Sequence, residues 1–264
     1  MSEPTSGQRP LLEVESLHKS FGGITALDGV TFEVKSGTLT GLIGPNGAGK
    51  STTFNAIGGI LQPDSGTIRF SGEEITGESP DRIAGKGLVR TFQISREFRN
   101  MTVIENMMIA PTNQRGESAL QSVTPGLRED VSEQEERIFE RAWEMLELFD
   151  IDHLALENAG ALSGGQRKLL ELARALMLDP ELLLLDEPFA GVNPTLEKTL
   201  IDRVETLRDE GHTFLLVEHD MDMIMDHCER VIVMHQGDTL LTGTPEEVQS
   251  EERVVEAYLG GSGV

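Results

Sequence analysis

The run Gly44-Pro-Asn-Gly-Ala-Gly-Lys50-Ser51 constrains this chain more than any other stretch of it. It fits the pattern G-x-x-x-x-G-K-[ST], and its flanks are of the right kind. Residues 38–43 before it alternate and run apolar like a strand, and residues 52–60 after it read as a helix. Glycines let the backbone curl so that successive N–H groups converge on one anion. The N-terminus of the following helix adds a partial positive charge. Lys50 brings a full charge suited to β and γ phosphates, and Ser51 brings a hydroxyl suited to Mg²⁺. A chance match in a chain of this length has odds on the order of one per cent, from the ordinary abundance of these residues.

Two further motifs carry charge or exposed donors. Residues 182–185 are four consecutive leucines, the pattern of a strand buried on both faces, and they deliver Asp186 and Glu187 at its end. Ligands of α/β sheets bind at that end. Asp186 is placed to hold Mg²⁺, directly or through water. Glu187 can orient or deprotonate an attacking water. Taken alone, the pair could equally be a strand ending in two solvated acids; the phosphate loop in the same chain favours chemistry. In Leu162-Ser-Gly-Gly-Gln166, Ser163 reads as the N-cap of a helix over 166–177. Its hydroxyl and the bare N–H groups of Gly164 and Gly165 could also face an anion. From the residues alone, the structural cap is the preferred reading.

Along the chain, strands are expected at 11–17, 30–34, 67–70, 182–185, 213–217 and 231–234, with helical segments between the later ones. That alternation indicates a mostly parallel sheet with crossover helices. Residues 103–110 read as a helix, and 111–129, with Pro111, Gly116, Pro125 and Gly126, as a loop or insertion. Ile138, Ala142, Met145, Leu146 and Phe149 recur at helical spacing, so 131–149 is an amphipathic helix with an acidic outer face. Trp143 on that helix, Cys228, and the methionines between Met177 and Met234 are expected in the core. His227 and Cys228 near His219 fit no zinc spacing and are expected on separate faces. The first ten residues and the Gly260–Val264 end are expected to be frayed.

Composition narrows the class. The 264 residues carry 45 acidic against 22 basic groups, a formal charge of −23. That argues against a nucleic-acid face, which needs clustered Lys and Arg. One cysteine permits no internal disulfide and suits a reducing compartment. No apolar run approaches the ~20 residues of a membrane span, and the first ten residues lack the apolar core of a signal peptide. The acidity has two readings of comparable weight: adaptation to a salty cytoplasm, or ordinary acidity.

The three motifs, in this order, resemble those of the nucleotide-binding subunit of ABC transporters. The resemblance spans about residues 11–259, and the pentapeptide at Leu162 is its most specific mark. It implies an α/β P-loop NTPase with a RecA-like, mostly parallel core, a helical signature subdomain and an N-terminal antiparallel β edge. The implied division is a disordered tail over 1–10 and a single ATPase domain over 11–260. Within that domain the core is 11–92 and 161–245, the helical subdomain 93–160, and a C-terminal segment covers 246–264. The implied reaction is hydrolysis of ATP with Mg²⁺. Gly44, Pro45, Asn46, Gly47, Ala48, Gly49, Lys50, Ser51 and Thr52 would bind the phosphates. Phe21, a core residue on its own merits, would stack on adenine. Gln93 would be the Q-loop residue serving Mg²⁺ with Ser51 and Asp186. Glu187 would be the general base, and His219 would touch the γ-phosphate. Ser163, Gly164, Gly165 and Gln166 would complete the ATP site of an opposite subunit, in a homodimer or a heterodimer with a second ATPase. Membrane-spanning subunits would be the partners, at the cytoplasmic face of the membrane, with no nucleic acid.

The sequence departs from the family's D-loop at Asn193, where Asp is usual. Arg90-Thr-Phe-Gln93, Met101 to Asn106, Ala190 to Pro194, Val217 to Met221 and Glu256 to Gly260 are most similar to the branched-chain amino acid importer group. The rival classes are a soluble single-cassette ATPase of the iron–sulfur assembly kind and a regulatory module that holds ATP without turnover. Retention of Lys50, Asp186, Glu187 and His219 together speaks against the last.

Overall fold

A computed structural model of the chain describes residues 10–91, 97–111 and 125–259. In chain order the elements are β1 (Leu12–Phe21), β2 (Ile24–Val34), β3 (Leu39–Ile43), α1 (Lys50–Ile57), β4 (Ser65–Phe70), β5 (Glu73–Glu74), α2 (Pro80–Gly85) and β6 (Leu88–Arg90). Then come α3 (Val103–Met108), α4 (Pro125–Leu148), α5 (Gly164–Leu176), β7 (Leu182–Asp186) and α6 (Pro194–Asp209). The chain closes with β8 (Thr213–Val217), α7 (Met221–His227), β9 (Arg230–His235), β10 (Asp238–Gly243), α8 (Pro245–Ser250) and α9 (Glu252–Leu259). Two compact units result. One is 1–90, 181–188 and 204–264; the other is 91–180 and 189–203.

The first unit holds two sheets. One has the order β10-β9-β3-β8-β7-β6, parallel throughout except for β10 at its edge. The other, β2-β1-β4-β5, is antiparallel. Every residue of β3, β7 and β8 is buried, which is why their sequences are apolar without alternation. The alternation of β1 is interrupted between Val14 and Leu17, where the spacing would turn Leu17 outward. A register shift with Ser16 at φ 47° takes up the extra residue and returns Leu17 to the core. The two sheets are tied by Asp28 N donating to Gly237 O at 2.7 Å and Thr31 N donating to Thr239 Oγ1 at 3.2 Å.

The second unit is helical. Val103, Ile104 and Met107 of α3, Ala142, Met145 and Leu146 of α4, and Leu169, Leu170 and Ala173 of α5 form its buried faces. Thr102 and Glu105 form a capping box on α3. Buried Asn106 holds the preceding turn, accepting from Phe98 N at 2.8 Å and donating to Thr102 O at 2.9 Å.

Three expectations need correction. Residues 125–129 belong to α4 rather than to a loop, because a proline in the first turn of a helix loses no hydrogen bond. Trp143 lies outside the core. It is 36% exposed, stacks on Phe139 at 6.1 Å and donates through Nε1 to Glu147 at 2.8 Å; its spacing puts it on the acidic side of α4. Met221 and Met225 are only half-buried and border an apolar groove of about 370 Å³ with Val254 and Tyr258. Cys228, Met177, Met223 and Met234 are buried as expected. Residues 1–9 and 260–264 lie outside the described residues.

Candidate active site

The parallel strands end level with one another. Leu42 of β3 pairs with Val217 of β8, and Val217 pairs with Asp186 of β7. The Gly-rich loop, the two carboxylates and the segment leading to His219 therefore leave the sheet side by side. Gly44 follows β3 with φ 153°, and a Cβ there would lie 2.2 Å from the Met234 carbonyl oxygen, so no side chain fits. Gly49 is the N-cap of α1 with φ 102°, a conformation that leaves the first-turn N–H groups facing the loop. The loop rests on the β9–β10 turn through Gly237 N donating to Ala48 O at 3.1 Å.

Lys50 is buried at 6% exposure. Its Nζ donates to the carbonyls of Gly44 at 2.6 Å and Pro45 at 3.2 Å. Burial lowers its pKa, and the charges of Glu187 and Asp186 work in the opposite direction. A phosphate would find a desolvated ammonium already folded over the cradle.

Asp186 is also buried, at 6%. Its Oδ2 accepts from Arg90 Nη2 at 2.8 Å, and the other arm, Arg90 Nη1, donates to Asn55 Oδ1 at 2.7 Å. Glu187 takes a left-handed backbone, φ 50°, with its N–H bonded to Val217 O at 2.9 Å. That turn aims its carboxylate away from the strand, where Oε1 meets His219 Nε2 at 2.9 Å. Strained backbone of this kind concentrates at functional sites. The pair sits on a cleft of about 380 Å³ lined by residues 46–52, Thr25, Ala26, Val217, Glu187 and His219. A polyphosphate can lie along the cradle, with a carboxylate–imidazole pair beside it to handle a water proton.

The donor set fits magnesium. Ser51 Oγ and the Asp186 carboxylate are hard oxygen donors on neighbouring segments. The described residues hold no cluster of three or more His, Cys, Asp or Glu that could cage a metal. Magnesium asks for no more than this, since it keeps waters and is held by one or two protein oxygens plus substrate phosphate. His227 and Cys228 form no metal cluster either: His227 Nδ1 bonds Glu205 at 2.9 Å, and Cys228 is buried.

The remaining expected site residues fall as follows. Phe21 ends β1 opposite Ile24, 49% exposed, with Lys19 Nζ 5.5 Å from its ring centroid; it is an open face and not a core residue. Gln93 lies outside the described residues. In the helical unit, Ser163 caps α5 in a reciprocal box: Gln166 N donates to Ser163 Oγ at 3.3 Å, and Ser163 N donates to Gln166 Oε1 at 2.9 Å. Asn193 is likewise a cap, its Oδ1 accepting from Leu196 N at 3.0 Å, with Pro194 in the first position of α6. An uncharged amide performs that duty as well as a carboxylate. Two residues carry contacts for which the sequence assigns no role. Arg90 stands there only as the first residue of the stretch Arg90-Thr-Phe-Gln93. Tyr258 of α9 hydrogen-bonds the backbone of Gly44, and burial pushes its phenol up to about 12.

The ABC transporter family model matches residues 27–190, three-fifths of the chain, and covers the phosphate loop, the Ser163 cap and the Asp186–Glu187 strand end. The chain belongs to the ABC transporter family. As an ABC ATPase it binds nucleotide, and its reaction is ATP hydrolysis coupled to transport. A second model, described as branched-chain amino acid ATP-binding cassette transporter, matches 239–264. The ABC ATPase is 42% identical over 95% of each chain to a probable branched-chain amino acid transport ATP-binding protein, LivG, of Archaeoglobus fulgidus. It is also 42% identical to the high-affinity branched-chain amino acid transport ATP-binding protein BraF of Pseudomonas aeruginosa, over 96% of this chain and 98% of that one. A solved ATP-binding cassette of an ABC transporter in its ADP conformation superposes with a TM-score of 0.80 at 37% identity, covering 95% and 99% of the two chains. The fold of the ABC ATPase is accordingly the expected P-loop α/β core with an antiparallel β sheet from the N-terminal strands.

Proposed function

We propose that this motor subunit drives import of branched-chain amino acids or a related small polar solute. The support is the printed function of the relatives together with the C-terminal match over 239–264. The iron–sulfur assembly alternative has no such support.

The residue roles follow from the cleft. Backbone amides of 44–52 hold the phosphates, and Lys50 turns from its two loop carbonyls to the β and γ oxygens. Glu187 takes the proton of the attacking water. His219, hydrogen-bonded to it, fixes the carboxylate and reads the γ-phosphate. Phe21 offers its exposed ring to adenine. Ser51, Asp186 and Gln93 hold Mg²⁺, which when bound neutralises phosphate charge. Ser163, Gly164, Gly165 and Gln166 serve the ATP of an opposite subunit, in a homodimer or a heterodimer with a second ATPase. Functionally the chain divides into a core over 11–92 and 161–245, a helical subdomain over 93–160 and a C-terminal segment. It sits peripherally at the cytoplasmic face, docked on membrane-spanning subunits.

The observation that carries the mechanism is the 2.9 Å contact between Glu187 and His219 beside the Lys50 loop. Glu187→Gln keeps the shape and removes the base. Turnover is expected to fall about 10²–10⁴-fold while ATP binding persists. Wild-type turnover in that variant would remove Glu187 from the role.

A further inference from the structure

We propose that Arg90 is a positioning residue for the metal site, bracing the helix that carries Ser51 against the strand that carries Asp186. The inference rests on the reading that Ser51 and Asp186 hold Mg²⁺. Its own ground is the two-armed contact of Arg90. One arm meets Asp186 Oδ2 at 2.8 Å; the other meets Asn55 Oδ1 at 2.7 Å. Asn55 stands four residues after Ser51 on α1, so the two share a helix face. A single planar fork thereby sets the distance between the elements bearing both proposed donors.

The surroundings hold the fork still. The side chains of Arg90 and Asp186 are 11% and 5% exposed. The guanidinium lies 5.8 Å from the centre of the Phe54 ring, in cation–π range. Gly58 leaves room for the Arg90 stem, since a Cβ there would come within 3.3 Å of Cδ. Arg90 Nε meets no hydrogen-bond partner among the described residues, so the group is held for the two bonds its other nitrogens make. Lysine could not replace it, because an ammonium lacks the fork that spans two oxygens. Without Arg90, buried Asp186 would also lose, among the described residues, the one cation hydrogen-bonded to it, leaving only the through-space charge of Lys50. Arg90 ends β6, beside β7, so the fork is itself anchored in the sheet that carries Asp186.

The test measures metal affinity apart from turnover. Mn²⁺ binding to the protein–nucleotide complex is followed by loss of the free Mn²⁺ paramagnetic signal. Nucleotide affinity is measured separately in chelator. Arg90→Met is expected to weaken Mn²⁺ by about tenfold or more, the usual effect of losing a partner that orients a ligand. Metal-free nucleotide affinity should stay within about twofold, well inside a tenfold step. Arg90→Lys, which keeps the charge and secures the test if Arg90→Met does not fold, should fall between wild type and Arg90→Met. Combining Arg90→Met with Asp186→Asn should be no worse than Asp186→Asn alone, since the two act as one unit. Wild-type Mn²⁺ affinity in Arg90→Met or Arg90→Lys would overturn the proposal by itself. So would a parallel loss of metal and metal-free nucleotide binding, the mark of a merely structural ion pair. Wild-type Mn²⁺ affinity in Asp186→Asn would overturn the metal reading beneath it, and the proposal with it.

Discussion

At the residue scale, the proposed mechanism has Glu187 and His219 acting as one group. Their 2.9 Å contact ties a carboxylate in a left-handed turn to a half-exposed imidazole. His219→Ala removes that contact, and turnover is expected to drop about 10²-fold or more, with ATP affinity little changed. Unchanged turnover in a stopped assay of phosphate release would separate His219 from the chemistry. The residues legible in the sequence are those whose job is done with near neighbours: Lys50 bonds carbonyls five and six positions away. Arg90 was not legible, because its carboxylate lies 96 positions on. Nor was Tyr258, whose bond to Gly44 closes the fold from its other end. Cys228 makes a simple check on burial. Burial pushes its thiol well above the usual range, so at mildly alkaline pH it stays protonated and covered. Native protein should resist a thiol reagent that labels the denatured chain fully; rapid native labelling would contradict the packing around β9.

Elements were read well where one physical rule dominated. Strands β7 and β8 carry apolar runs buried on both faces, and the sequence bounds agree with the structure to a residue. Leu184, fully buried at the middle of β7, should cost about 2–5 kcal/mol when cut to Ala, measured by denaturant unfolding. The start of α4 was missed because proline and glycine signal both loops and first turns. The side of Trp143 was missed because a single aromatic on an acidic face breaks no period. The bulge at Ser16 was invisible because a register shift depends on the partner strand. Three helices begin in a reciprocal box, at Thr102, Ser163 and Thr244 with the residue three positions on, and of these the sequence reading names Ser163. Thr102→Ala is expected to destabilise by about 1 kcal/mol, as caps do, without touching the cleft. A neutral outcome would mean that α3 is held by packing of Val103 and Met107 alone.

Charge governs the whole molecule. A formal −23 spread over one chain repels itself, and salt relieves that repulsion. If the acidity is an adaptation to a salty cytoplasm, thermal stability should rise as KCl approaches about 1 M, where the Debye length is ~3 Å. A maximum at low salt would make it ordinary acidity. No helix among the described residues is long and apolar enough to cross a membrane. The most direct test is to recover the tagged chain from its native membranes in mild detergent and identify what accompanies it. Multi-span membrane subunits, with ATP hydrolysis that disappears in Glu187→Gln, are the predicted result. Recovery with soluble partners alone would contradict the account.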